Sequence, residues 1–156
     1  MAIKKPLVLG SDGRPQQLQS GDSIDSVETG QLTVVADDTL IAGSPVYGSA
    51  AGHVDKARAN ASGTSRVLGL TREGIASAAS GQIQCNGFME LSTAEWDAAF
   101  GTSGGLTVDT TYYLSAATAG LGTATCPSSV GQLVIILGVA VSTEILRLQI
   151  SEPILL

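Results

Sequence analysis

The chain has 156 residues, an ordinary length for one domain, of which only 14% are charged and 4% aromatic, with a net charge of −6. Its eight Lys and Arg are thinly spread, Lys4-Lys5 being their one adjacent pair, so the clustered basic footprint of a nucleic-acid binder is missing and attraction to an anionic membrane is equally unsupported. Two cysteines, Cys85 and Cys126, do not make a disulfide framework at this size, and their spacing leaves both a bridge and two free thiols open.

The first thirty residues differ from the rest. MAIKKPLVLG lacks the apolar core and cleavage site of a signal peptide. Pro6-Leu7-Val8-Leu9 runs into the turn cluster Gly10-Ser11-Asp12-Gly13, and Arg14 to Gly30 is polar, with Leu18, Ile24 and Val27 as apolar anchors. Residues 1–30 read as an extended N-terminal arm. Such a segment orders on a partner surface or stays a loose terminus, and both remain open. The arm residues expected to touch a partner are Ile3, Pro6, Leu7, Leu9, Leu18 and Ile24.

From Gln31 to Leu156 the pattern is that of a β domain. Leu32–Ala36 is a β-branched run, and Ile41–Tyr47 carries a turn and then a strand. Val54–Ala59 alternates. Arg66–Thr71, Gly74–Ala79 and Gln82–Cys85 follow as short strands bounded by Gly, Ser or Asn. One helix interrupts them. Ser92-Thr93-Ala94-Glu95 matches a capping box, Trp96, Ala99 and Phe100 share a face, and Gly101 supplies the stop. Strands resume at Thr111–Ser115 and Gly122–Cys126. Leu133–Val141 is nearly continuous apolar sequence, expected to be covered on both faces but too short to span a bilayer. After a turn at Ser142-Thr143-Glu144, Leu146, Leu148 and Ile150 alternate with Arg147 and Gln149. Ile154, Leu155 and Leu156 follow as an apolar segment expected to be buried against a neighbour.

A pattern occurs twice. PVYGSAAG (45–52) is answered by TYYLSAATAG (111–120), and Val67-Leu68-Gly69-Leu70-Thr71 by Ile136-Leu137-Gly138-Val139-Ala140. The expected fold is therefore all-β: a small barrel or sandwich of two related halves, with one short helix and the arm. The small-residue, weakly charged surface suits contact between subunits.

No chemistry stands out. His53, the lone histidine, follows a glycine turn and has no GxSxG elbow or comparable motif to serve. Asp37-Asp38 sits at a strand end, where Asx-turns favour aspartate, and Glu95 is used by the helix cap, leaving Asp97 on another face. GSDG and GTSGG lack the Lys-Ser/Thr ending of a phosphate loop. No catalytic residue, metal, cofactor, small-molecule substrate, membrane or direct nucleic-acid partner is expected.

The stretches IAGSPVYGSAAGHVDKA (41–57), SRVLGLTREGIA (65–76) and GQIQCNGFMEL (81–91) resemble the capsid decoration (cement) proteins of tailed bacteriophages. The continuation from Ser92 to Ile150 is similar to a domain of phage decoration proteins and of some tail-fibre proteins, and the opening MAIKKPLVLGSDGRPQQLQSGD resembles the start of phage virion proteins. The resemblance covers most of the chain through structural motifs of Gly, Tyr and small residues. It implies an all-β homotrimer, assembled in the bacterial cytoplasm, that binds the outer surface of an icosahedral head, bridges major capsid protein subunits and has no catalytic residue to carry over. The alternative it leaves is an adaptor or head-proximal module of a tail fibre or spike.

Overall fold

The computed structural model describes residues 7–9, 15–17 and 30–156. Near the N-terminus, β1 (Leu7–Leu9) pairs antiparallel with β2 (Pro15–Gln17).

A closed barrel follows, built from β3 (Gln31–Ala36), β4 (Pro45–Ala50), β5 (His53–Lys56), β6 (Val67–Thr71) and β7 (Ser80–Gln84) in the order β3-β5-β4-β6-β7. β3 closes it, pairing antiparallel with β7 and parallel with β5 through Val35↔His53 and Ala36↔Val54. Gly52, at φ 76°, makes the tight reversal between β4 and β5, a conformation that glycine adopts without steric cost. Val34, Ala36, Leu40, Val46, Val54, Ile75 and Ile83 fill the interior, so the barrel is a packed core rather than a channel.

The second sheet comprises β8 (Gly87–Glu90), β9 (Thr111–Leu114), β10 (Gly122–Thr123), β12 (Ile136–Ala140) and β13 (Ile145–Leu148), in the order β10-β9-β12-β13-β8. It is antiparallel throughout and open. The helix α1 (Thr93–Phe100) lies between β8 and β9 in the chain, and β11 (Leu133–Val134) pairs with β14 (Ile154–Leu155) in a separate ribbon.

The two sheets share a strand order: β5-β4-β6-β7-β3 in one and β10-β9-β12-β13-β8 in the other. Their central pairs share a register as well. Val46 faces Gly69 and Tyr47 faces Val67, with an irregularity at that step. Tyr112 faces Gly138 and Tyr113 faces Ile136, with an irregularity at the same step. The turns entering β4 and β9 also correspond. Gly43 N donates to Thr71 O at 2.8 Å and Asp109 N to Ala140 O at 2.9 Å, with Gly43 at φ 81° and Asp109 at φ 62°. The sheets differ in closure: β3 pairs with β5, whereas β8 and β10 do not pair. Instead, α1 packs on β10, where Gly122 leaves room for the Phe100 ring.

Helix α1 begins and ends where its sequence dictates. Ser92 accepts from Glu95 N, the Glu95 carboxylate accepts from Ser92 N, and Gly101 closes the last turn at φ 65°. Eight residues cannot hold a helix alone, so its stability comes from burial. Trp96, Ala99 and Phe100 are buried, the Trp96–Phe100 and Phe100–Tyr112 ring centroids are each 5.0 Å apart, and Trp96 Nε1 donates to Glu144 O at 2.8 Å. This larger core takes Leu70 from the barrel and Ala42, Ala57 and Ala59 from the segments that flank its strands, with Leu114, Leu137 and Leu146 from the sheet, uniting residues 31–156 around it.

Several segments differ from the sequence expectation. Gly74–Ala79 is not a strand. Ile75 makes one bridge to Leu40, Ala78 turns at φ 62°, and the Ile75 side chain enters the barrel over Gly81. Strand β5 stops at Lys56: Ala57 N still donates to Pro45 O of β4, but Ala57 O accepts from Gly120 N, and Ala59 turns to the segments around the second sheet, its N donating to Ser115 O and its O accepting from Leu133 N of β11. Gly122–Cys126 shortens to two strand residues. Leu133–Val141 divides into β11 and β12 and is covered on one face: Leu133, Ile135 and Leu137 are buried, Val134, Ile136 and Val139 half-buried, and Val141 exposed.

Candidate interaction surfaces

The sequence placed partner contacts at both ends of the chain. At the C-terminal end, Leu133↔Leu155 and Val134↔Ile154 are paired, and Leu156 adds bonds to both Gly131 and Gln132 at 3.1 and 3.0 Å. Backbone pairing therefore holds Ile154, Leu155 and Leu156 in a fixed ribbon while leaving their side chains 61%, 70% and 43% exposed. Val130, 95% exposed in the neighbouring turn, joins them. Sequence reading missed Val130; its one signal is a valine alone in the polar turn Ser128-Ser129-Val130-Gly131. A cluster of large apolar side chains on a polar body is the usual mark of a contact surface.

At the other end, Leu7 and Leu9 stand in β1 opposite Gln17 and Pro15. Ile3, Pro6, Leu18 and Ile24 lie outside the described residues.

A second apolar surface was not foreseen. Across the open sheet, Thr111, Val139, Arg147 and Phe88 are successive cross-strand partners on the face turned away from the core. Phe88 is 66% exposed there. Beside the row lies a hollow of about 400 Å³ lined by Val108, Asp109, Val139, Ala140, Val141 and Arg147. A second hollow of about 340 Å³, with Ile136 and Ile150 in its lining, adjoins it at Val139. Arg147 donates to Gln149 Oε1 at 3.2 Å and makes no ion pair among the described residues.

The polar clusters are structural in their geometry. Asp37 accepts from Ser49 Oγ and stands 2.8 Å from His53 Nδ1. The Ser49 hydrogen bond first, and the His53 contact second, hold its carboxyl below the ordinary range. Nucleophilic catalysis needs the order hydroxyl, imidazole, carboxylate. Here the carboxylate is central and Ser49 gives its hydrogen bond to Asp37. Asp38 accepts from Lys56 Nζ at 2.7 Å. Both pairs tie the end of β3 to the β4–β5 hairpin and so brace the barrel's closing seam.

Asp97 was expected merely to face away from Glu95. Its carboxylate instead accepts from Thr102 Oγ1 at 2.7 Å, Gly105 N at 2.8 Å and Gly104 N at 2.9 Å, wrapping the GTSGG segment around itself. The spacing from Asp97 to the glycine pair was the available signal. Cys85 and Cys126 are both free thiols, and burial raises the Cys85 pKa. Among the described residues no group of His, Cys, Asp and Glu is arranged to hold a metal, and no helix is long and apolar enough to cross a membrane.

Comparison with protein-family models and with curated proteins finds no match to this chain.

Proposed function

We propose that this chain is a structural virion protein: a decoration (cement) protein that binds the outer surface of an icosahedral phage head as a homotrimer and bridges neighbouring major capsid protein subunits. The reading starts from the sequence resemblance. The observation that carries it is the C-terminal ribbon, where backbone pairing fixes Ile154, Leu155 and Leu156 with their side chains exposed. A protein working alone gains nothing by ordering such a surface; one that glues neighbours together needs it. We further propose that residues 31–86 and 87–156 are two related halves. The shared strand order and the matching registers at Gly69 and Gly138 support this.

The mechanism is physical rather than catalytic. A trimer with several feet on one lattice gains from effective concentration, because each bound foot keeps the others near their sites. Binding the assembled shell and not its free subunits, the trimer stabilises the shell by mass action. The test is to add the purified chain to heads lacking it, then measure co-sedimentation, copies per particle and resistance to heat or chelation. Hundreds of copies with raised resistance are expected. A few dozen copies confined to the tail would establish the adaptor role instead, and a monomer with no affinity for heads would end the proposal.

A further inference from the structure

The outer hollow of the open sheet has a counterpart in the barrel. Pro45, Leu70 and Gln84 are successive cross-strand partners there, as Thr111, Val139 and Arg147 are in the second sheet. Gly43 and Asp109 occupy the same turn beside each row. Around Gly43 and Leu70 the position is filled. A β-carbon on Gly43 would lie 2.9 Å from Ala99 Cβ and 3.3 Å from Leu91 Cδ1, and Leu70 is fully buried in the larger core. Around Asp109 and Val139 none of the described residues fills it: Val108 is 56% and Val141 46% exposed. One site packs apolar side chains, while its counterpart stands open and lined with valines.

We propose that the hollow at Val108, Val139 and Val141 is the contact between copies of this chain, and that the C-terminal ribbon of a second copy fills it. This rests on the trimer reading above. The ribbon is tied to β11, ahead of β12, whereas Val141 follows β12, so the two apolar surfaces lie at opposite ends of that strand. Two different complementary patches on one chain make a head-to-tail contact, which closes into a ring when the rotation permits. Charge agrees: Arg147 in the hollow has no ion-pair partner among the described residues, and Glu152, just before the ribbon, is 82% exposed and engaged only by the equally exposed Arg66 at 3.4 Å, a solvent-screened pair that a second cation can replace at little cost. Leu155, 70% exposed, supplies the aliphatic bulk that Leu91 and Ala99 supply at the filled counterpart.

The mass of the full chain in solution tests this. Wild type should run as a ring of three, and Val139→Asp in the hollow or Leu155→Asp in the ribbon should each reduce the mass about threefold. Thr33→Asp, on the exposed side of β3, should leave it unchanged. Mixing the two single variants should restore association to two chains only, since each retains one intact surface. Val141→Arg, at a more exposed position, replaces Val139→Asp if circular dichroism finds that variant unfolded. Variants that keep the wild-type mass, or a mixture that stays monomeric, overturn the interface while leaving the trimer standing. A monomeric wild type overturns both. A ring that ignores phage heads overturns the proposed function alone.

Discussion

Gly138 stands in β12 as Gly69 stands in β6, each opposite the residue before a half-buried tyrosine and each pressed against the backbone of the next strand. A β-carbon on Gly69 would lie 2.6 Å from Gln84 O, and one on Gly138 would run into Arg147 O. Backbone cannot swing aside as a side chain can, so overpacking costs apply in full. We expect Gly69→Ala and Gly138→Ala each to destabilise by about 1–3 kcal/mol in chemical denaturation. Gly48→Ala, with nothing within 4 Å and no positive φ, should be neutral or slightly stabilising. Equal stability of all three variants would remove the close-approach account.

Helix α1 is only eight residues long, and its N-terminal cap adds to what the burial of Trp96, Ala99 and Phe100 supplies. Ser92→Ala removes the acceptor for Glu95 N and one donor to the Glu95 carboxylate. A loss of about 1 kcal/mol is expected, lowering the Tm by roughly 2–4 °C for a chain of this size. The circular-dichroism melt measures it directly.

What the sequence made legible was local. The helix cap, the Gly101 stop, the turn at 142–144 and the alternating Leu146 and Leu148 each declare themselves within a few residues, because the physics that sets them spans one turn or one strand. The closing pair Val35↔His53 is parallel and rests on partners far apart in the chain, so no local pattern announces it. Gly74–Ala79 was misread for the same reason: Ile75 gives the stretch strand character, yet it is buried because it plugs a barrel formed by other strands. Of the surfaces, Ile154–Leu156 was readable as apolar sequence. The Thr111–Val139–Arg147–Phe88 row takes one residue from each of four strands and is visible only once their registers are known.

The two thiols should differ in reactivity. Cys126 is exposed, whereas Cys85 is half-buried and its pKa is raised by desolvation, which lowers its thiolate fraction near neutral pH. A disulfide-exchange reagent at pH 8 should titrate two thiols under native conditions, one fast and one slow, the slow phase merging with the fast in denaturant. Zero reactive thiols would mean that a bridge forms and that the geometry around Cys85 is wrong.

The Asp97 cage predicts a pH signature of definite sign. Its hydrogen bonds favour the ionised carboxylate, that from Thr102 most and then those of Gly105 and Gly104, so the folded pKa lies below the ordinary 3.8. A group with a depressed folded pKa contributes stability that is fully present above its unfolded value and is lost as pH falls through the folded one. Asp97→Asn places an amide against three donors without carrying charge, so the variant should melt lower than wild type at neutral pH. That gap should hold constant down to about pH 5 and then close as the pH drops below 3.8. Asp37, Asp38 and Glu95 have lowered pKa values too, but both proteins retain them, so their titration largely cancels in the difference. Paired thermal melts from pH 7 to pH 2 read this out. A gap that persists unchanged at pH 2 would assign the effect to the shape of the side chain rather than its charge, and the GTSGG loop would then need another organiser.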